Sequence, residues 1–529
     1  MSTTQRWTLV AAILGSAIVF LDGTIVNVAL PIVGRELPAT FLGQLEAQTY
    51  VVSGYIATLA ALLVLAGALA DFYGRRRVFI IGLAGFGVTS LLCGIAPTME
   101  ILVLTRILQG AAGALLVPGS LSIITATFEG QARGRAFGIW AAATSATTTL
   151  GPPLGGILVE SVSWRTAFLI NGPLVLIALY ATIRYMQESR DEDASSHFDW
   201  LGALAAVLGI GGLAFGAIRG QDRQWQDPLA FVALGAGVVA TVGFVVLMAT
   251  RPHPLIPLSL FRSRGFATIN LSTLLIYGAL YTTFTFQALF LQGVLGYSPL
   301  GSAIVGLPVG ILLTILSTRA GSLAARIGAR PFLTIGPLLM AIGLGWFSRI
   351  PASSAAWAAD LDEPASLVPP AAVLVDVLPA IILFGVGISL VVAPLTSTLM
   401  SSVPVRNAGI ASAINNAISR VGYPLLAAVI FIVVSGSFYG RLASLVPGID
   451  PASPELRTQV QPLNPPSSEA PPELRMAATE ASTDAFHLAA LVGAGLLVLG
   501  AAVNWVGLTG RGEGDGGIAG GGEPPAPGG

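Results

Sequence analysis

Long apolar windows recur along this chain at 8–31, 47–69, 78–96, 101–124, 136–158, 167–186, 199–218, 228–249, 267–291, 302–324, 332–349, 371–396, 410–435 and 485–507. At about 1.5 Å per residue, each can cross roughly 30 Å of hydrocarbon as an α-helix. A backbone inside lipid must satisfy its own hydrogen bonds, which leaves helices or closed barrels, and runs this long without polar alternation specify helices. The chain is therefore read as an all-α membrane protein of about fourteen transmembrane helices. Only 10% of its residues are charged and mean hydropathy is +0.80, whereas a soluble domain carries about 25% charged residues. The first window begins like a signal peptide, but it is longer and reaches Pro31 without a small-residue cleavage site, so it reads as a retained helix. A lone cysteine, Cys93, excludes an intramolecular disulfide.

Arginine placement orients the spans; the chain has no lysine. One set of connections holds Arg75, Arg76, Arg77, Arg133, Arg135, Arg184, Arg190, Arg251, Arg262, Arg264, Arg319, Arg326, Arg330 and Arg406, joined by Arg6 and Arg511 in the termini. The alternate connections hold Arg35, Arg165, Arg219, Arg223 and Arg349. Both termini are expected on the cytoplasmic side of a multi-pass protein of the cytoplasmic membrane. Residues 436–484 then lie outside as a Pro-, Ser- and Glu-rich loop without a helical stripe, and the Gly/Pro-rich tail 510–529 reads as disordered.

Asp22 interrupts the first span in the segment LDGTIVNVALP, 21–31. A carboxylate at this depth costs at least about 2.5 kcal/mol and is retained where it binds or moves a proton or cation. By helical rise Asp22 lies about 21 Å from the arginine-rich end of its span, and Arg106 lies about 22 Å from the same face. The two opposite charges can share one level, as a proton-responsive switch or as a static pair. The segment 150–158 carries Gly151, Pro152, Pro153, Gly155 and Gly156, where proline bends a helix and paired glycines admit a close neighbour, giving a hinge or a seam. Tyr277, Tyr281 and Phe284 share one helical face.

Four short stretches resemble the major facilitator superfamily, and within it the fourteen-helix drug:proton antiporters of multidrug-efflux type. LDGTIVNVALP is similar to their first-helix signature, and GALADFYGRRR (67–77) to the loop between helices 2 and 3. LVLTRILQGAAGA (102–114) is similar to the helix-4 motif and LGPPLGGIL (150–158) to the helix-5 antiporter motif. SWRTAFLINGP (163–173) and FDWLGA (198–203) fit the same subfamily. The resemblance implies six-helix bundles over 8–190 and 267–507, built from inverted repeats, with two inserted helices over 198–250 and a substrate cavity between the bundles. It implies proton coupling through Asp22 and Arg106. It also implies a cytoplasmic gate of Gly67, Asp71, Gly74, Arg75 and Arg76, in which Asp71 meets the N-terminus of helix 13 near Arg406 and Asn407. The corresponding loop of the second half, GSLAARIGAR (321–330), has no Asp in that place. Arg75, Arg76 and Arg77 are further expected to meet anionic lipid headgroups. The cavity is expected to be lined by Asn27, Gln109, Asn270, Tyr277, Tyr281, Phe284, Asn415 and Arg420. Asp376 is the nearest acid by depth to Arg420, about 8 Å away.

The function expected is proton-coupled export of small apolar or amphipathic compounds, with no cofactor beyond the coupling proton. Neutral, zwitterionic or monocationic amphiphiles are expected to be preferred over dications, since Asp22 is the only deep acid. Alternatives are a dedicated exporter of one metabolite or self-made antibiotic, and a channel or non-transporting sensor. His197, His253 and His487 are too scattered for an intramembrane enzyme, and without lysine no GxxxxGK[ST] phosphate loop exists. Expected partners are the substrate, protons and lipid, with no nucleic acid and a monomer as the working unit.

Overall fold

A computed structural model describes residues 1–39, 44–190, 198–222, 227–252, 254–360, 363–451, 453, 456, 459–464, 466 and 470–508. The tail 510–529, His197 and His253 lie outside the described residues. The first half contains α1 (Thr3–Glu36), α2 (Gln44–Tyr73), α3 (Arg75–Gly94), α4 (Met99–Ala114), α5 (Val117–Thr127), α6 (Gly130–Ser161), α7 (Thr166–Leu169) and α8 (Asn171–Tyr185). Then come α9 (Trp200–Asp222) and α10 (Pro228–Thr250). The second half contains α11 (Arg264–Leu289), α12 (Pro299–Ile327), α13 (Arg330–Phe347), α14 (Leu378–Ser401), α15 (Ala408–Leu445) and α16 (Pro472–Gly507).

Among the described residues, 13 helical stretches are long and apolar enough to cross a membrane, α4 with α5 and α7 with α8 each counting as one. α6 adds a 32-residue helix packed along α1 and α12. Its sequence is rich in threonine, yet Thr144, Thr147, Thr148 and Thr149 each donate a hydroxyl to the carbonyl four residues back. That hides the polarity inside the helix's own ladder.

α9 and α10 pair as a hairpin. Their backbones nearly touch, since a Cβ on Gly212 would stand 2.8 Å from Gly237 Cα. The hairpin leans on α2 and α15, so it lies against one helix from each half. Arg219 fixes its far end, pairing with Asp227 at 2.7 Å and donating to the Tyr50 hydroxyl on α2. Direct contacts between the halves run mainly through α2–α15 and α6–α12.

The segment 436–484 corrects the expectation of a loop without a helical stripe. α15 continues to Leu445 and α16 begins at Pro472, so both project past their apolar windows. Phe438, Leu442, Leu474, Ala477 and Ala481 bury one face of this extension, with Leu456, Val460 and Leu463 folded against it. Arg441 bridges Glu480 at 2.7 Å and Asp484 at 3.0 Å. A hydropathy window is blind to such helices because their outer faces meet water.

Candidate functional site

α1 carries Asp22 to a position with no exposed surface. Arg106 on α4, equally buried, is its ion-pair partner. Gln109 Nε2, one turn along α4, donates to Asp22 Oδ1 at 3.0 Å, and Asn171 Nδ2 at the start of α8 donates to the same oxygen at 3.1 Å. Ser90 on α3 accepts from both amides at 2.9 Å. Arg106 Nε donates to the Val51 carbonyl of α2 at 3.1 Å, and the guanidinium lies 4.0 Å from the centre of the Tyr55 ring. Five helices thus converge on one desolvated pair whose remaining hydrogen-bonding capacity is met by amides and a carbonyl, the condition under which buried charges are tolerated. Removing the charge of either member would leave the other buried without its counter-charge.

The sequence brought forward Asp22 and Arg106 but not Asn171, Ser90 or Tyr55. The available signal was an amide in an apolar context, Asn171 within SWRTAFLINGP. Gln109, expected at the substrate cavity, sits in this cluster with no exposure.

The glycines of α6 abut α1 beside the pair. A Cβ on Gly151 would fall 2.0 Å from Thr24 Oγ1, and one on Gly155 would fall 3.2 Å from the Ile25 carbonyl. Both contacts are within one turn of Asp22. Pro152 and Gly156 belong to the same helix, but their side positions lie outside the described residues, as does the Asn27 side chain. Toward its arginine-rich end α6 meets α12 just as closely: a Cβ on Gly138 would stand 2.7 Å from Thr318 Cα.

Between α2 and α15 the halves are latched. Asp71 accepts from the backbone N–H groups of Gly409 at 3.2 Å and Ile410 at 2.9 Å, at the N-terminus of α15. Arg75 holds that carboxylate from Nε at 3.0 Å and Nη2 at 2.9 Å, and Nη2 also donates to the Val405 carbonyl at 2.6 Å. Gly67 lets the helices meet, since a Cβ there would fall 2.4 Å from Ala413 Cβ. Gly74, at φ 108°, makes the turn into α3 in a conformation other residues avoid. The α6–α12 seam joins the halves toward the same arginine-rich face.

The expectation that Arg75, Arg76 and Arg77 all meet lipid headgroups is corrected. Arg75 is buried in the latch. Arg76 donates from Nη2 to the Ile183 carbonyl at 2.7 Å, satisfying the end of α8. Arg77 alone among the three keeps a largely exposed side chain, 3.8 Å from Glu188.

The remaining cavity candidates lie on α11 and α15. Asn415 Nδ2 donates to Asn270 Oδ1 at 3.2 Å and to Thr273 Oγ1 at 2.8 Å, tying the two helices together. The aromatic row divides: Tyr281 is exposed, Tyr277 is half-buried, and Phe284 packs edge-on against Phe384 of α14 at 5.5 Å. Arg420 on α15 reaches toward α1, its guanidinium 5.6 Å from the Phe20 ring centre, and its Nε is buried without a hydrogen-bond partner. Asp376 does not meet it and instead accepts from Ser354 Oγ at 2.7 Å. Among the described residues no group of three His, Cys, Asp or Glu side chains is placed to hold a metal ion.

The family profile described as Major Facilitator Superfamily matches residues 12–427. The chain is 33% identical over 452 residues to the multidrug resistance protein Stp of Mycobacterium tuberculosis, covering 84% of this chain and 80% of that protein. It is 31% identical to the tetracenomycin C resistance and export protein of Streptomyces glaucescens, covering 81% and 76%, and 32% identical to the puromycin resistance protein pur8 of Streptomyces alboniger, covering 83% of each. Among solved structures, the human organic anion transporter MFSD10 superposes with a TM-score of 0.58 at 14% identity, covering 95% of this chain and 100% of that one.

Proposed function

The chain belongs to the major facilitator superfamily, and from that premise we propose that it is a proton-coupled exporter of small apolar or amphipathic compounds, working by alternating access in the cytoplasmic membrane. The arginine-rich face is cytoplasmic in this reading, as the bias of basic residues supports. The bundles 8–190 and 267–507 rock about the cavity between them, with 198–250 as a brace.

The observation that carries the proposal is the buried Asp22–Arg106 pair with its amide partners, set beside the glycine seam of α6. Asp22 takes a proton from outside and releases it inside, and Arg106 compensates the carboxylate in the deprotonated state. The latch at Asp71 holds the cytoplasmic side shut in the outward-facing state. One proton moving inward releases about 2.3 kcal/mol per 100 mV, sufficient for roughly a 50-fold gradient of a neutral solute. The test is export in proteoliposomes containing a pH-sensitive dye. Substrate efflux should be accompanied by proton influx, with both abolished in Asp22→Asn; downhill substrate movement with no proton flux in the parent would overturn the coupling.

A second reading, dedicated export of one metabolite or self-made antibiotic, draws on the relatives named for tetracenomycin C and puromycin. Competition across a chemically diverse substrate panel separates the two.

A further inference from the structure

The halves of the chain align on their glycine turns. Gly74 at φ 108° leads into Arg75 and Arg76, and Gly328 at φ 97° leads into Ala329 and Arg330. Counting from each glycine, Ala325 stands in the place of Asp71 and Ala329 in the place of Arg75. In the first half those positions hold the ion pair that fills the space between helix ends. In the second half two methyl groups replace it, and a cavity of about 390 Å³ lies there among the arginine-rich ends of α11, α12, α13, α14 and α16.

The lining combines two arginines and four hydroxyl side chains with small apolar residues. Arg264, Arg330, Ser397 and Ser401 supply polar side chains, and no described lining residue is acidic. The Arg330 guanidinium stacks 4.1 Å from the Trp505 ring centre while its Nε is buried with no hydrogen-bond partner. Arg264 donates to the Val506 carbonyl from Nη2 and keeps its other donors. α13 starts at this cavity without a side-chain cap on its N-terminus. Two guanidinium groups and an uncapped helix start, with no carboxylate among the described lining residues, define a site for an oxyanion.

The rim identifies which oxyanion. Trp505, which stacks on Arg330, and Val506, whose carbonyl accepts from Arg264, are exposed apolar residues of the spanning helix α16. An anion attached to hydrocarbon satisfies both surfaces, whereas free phosphate would leave the rim unused. We propose that this cavity binds the phosphodiester headgroup of an anionic phospholipid from the leaflet at the arginine-rich face, with its acyl chains along α13 and α16.

Native mass spectrometry of the purified full-length protein tests this, using phosphatidylglycerol and phosphatidylcholine of matched chains and inorganic phosphate as the soluble arm. Phosphatidylglycerol should be retained in preference to phosphatidylcholine. The variant Arg264→Gln/Arg330→Gln should weaken that retention by roughly 30-fold, two basic contacts at about fivefold each. Ala329→Leu, which fills the cavity and leaves both arginines, should also weaken it, and keeps the test decisive if the double variant misfolds. Arg349→Gln at the opposite face should match the parent. Equal retention of both lipids, or parental retention in the double variant and in Ala329→Leu, would overturn the proposal, as would displacement of the lipid by inorganic phosphate.

Discussion

Replacing Asp71 by Asn tests the latch with little change in volume. The wild-type carboxylate accepts from two backbone N–H groups at the start of α15, at 3.2 and 2.9 Å, while held by Arg75. The amide keeps one acceptor oxygen but loses the charge. What disappears is one charge-assisted hydrogen bond and the attraction to the positive helix end, together about 2–3 kcal/mol in a buried setting. The ratio of closed to open conformers at the arginine-rich face should therefore fall roughly 30- to 150-fold. Spin labels at Arg135→Cys on α6 and Ile327→Cys on α12 occupy exposed positions near that face, and the native Cys93 is buried and will not compete for label. Pulsed electron–electron distance measurements in nanodiscs should show a longer population in Asp71→Asn. Arg77→Gln, whose parent side chain is 74% exposed, should leave the distribution unchanged. Identical distributions in Asp71→Asn and its parent would refute the latch and leave Asp71 a topology residue.

Asp22→Asn should abolish uphill export and lower thermal stability by about 3–5 kcal/mol, because Arg106 is left buried and unpaired; wild-type uphill transport would contradict the assignment. Asp22→Asn/Arg106→Gln should recover much of that stability in a melting assay while export stays absent, and a double variant no more stable than the single would deny the pair its structural share. Gly151→Ala places a methyl group 2.0 Å from Thr24 Oγ1, an overpacking cost of about 1–3 kcal/mol. Export should drop, and adding Thr24→Ala should restore it; no rescue would mean that the contact is not the cause. Arg420 has no acidic partner among the described residues, so monocationic dyes should inhibit export more than matched bis-cationic ones, and the reverse order in a competition assay would rule the charge argument out.

The span positions were legible in the sequence because lipid leaves a backbone so few options: each apolar window falls largely on one helix or on two in tandem. Asp22 and Arg106 were legible for the same reason, since a deep charge demands a partner. Asn171 and Ser90 were not, because a single amide or hydroxyl is cheap enough in a helix to need no special reason until its neighbours are known. Gln109 could be placed on a face but not against a particular neighbour, and the neighbour proved to be Asp22. Arg76 was hidden differently: a basic residue beside a membrane suggests headgroups, whereas this one serves the carbonyls at the end of α8. The missing Asp in 321–330 was visible, but the space left by it appears only when the helix ends are assembled.

α6 is the member common to the buried charge and the seam between halves. At Gly151 and Gly155 it touches α1 within a turn of Asp22, and at Gly134 and Gly138 it touches α12 at Gly321 and Thr318. Both are contacts between backbones, or between backbone and a short side chain, with no long side chain to absorb a displacement. A shift of α1 relative to α4, as the loss of charge on Asp22 would favour, must therefore be carried by α6 or break its packing. If it is carried, it arrives at the α6–α12 seam, which together with the Asp71 contact joins the halves at the arginine-rich face. The label pair on α6 and α12 should then report on Asp22 as well as on Asp71. Asp22→Asn should change the distance distribution, and Gly151→Ala, which separates α6 from α1, should reduce the effect of Asp22→Asn when the two are combined. Simple additivity of the two changes would mean that proton and gate communicate by some element other than α6.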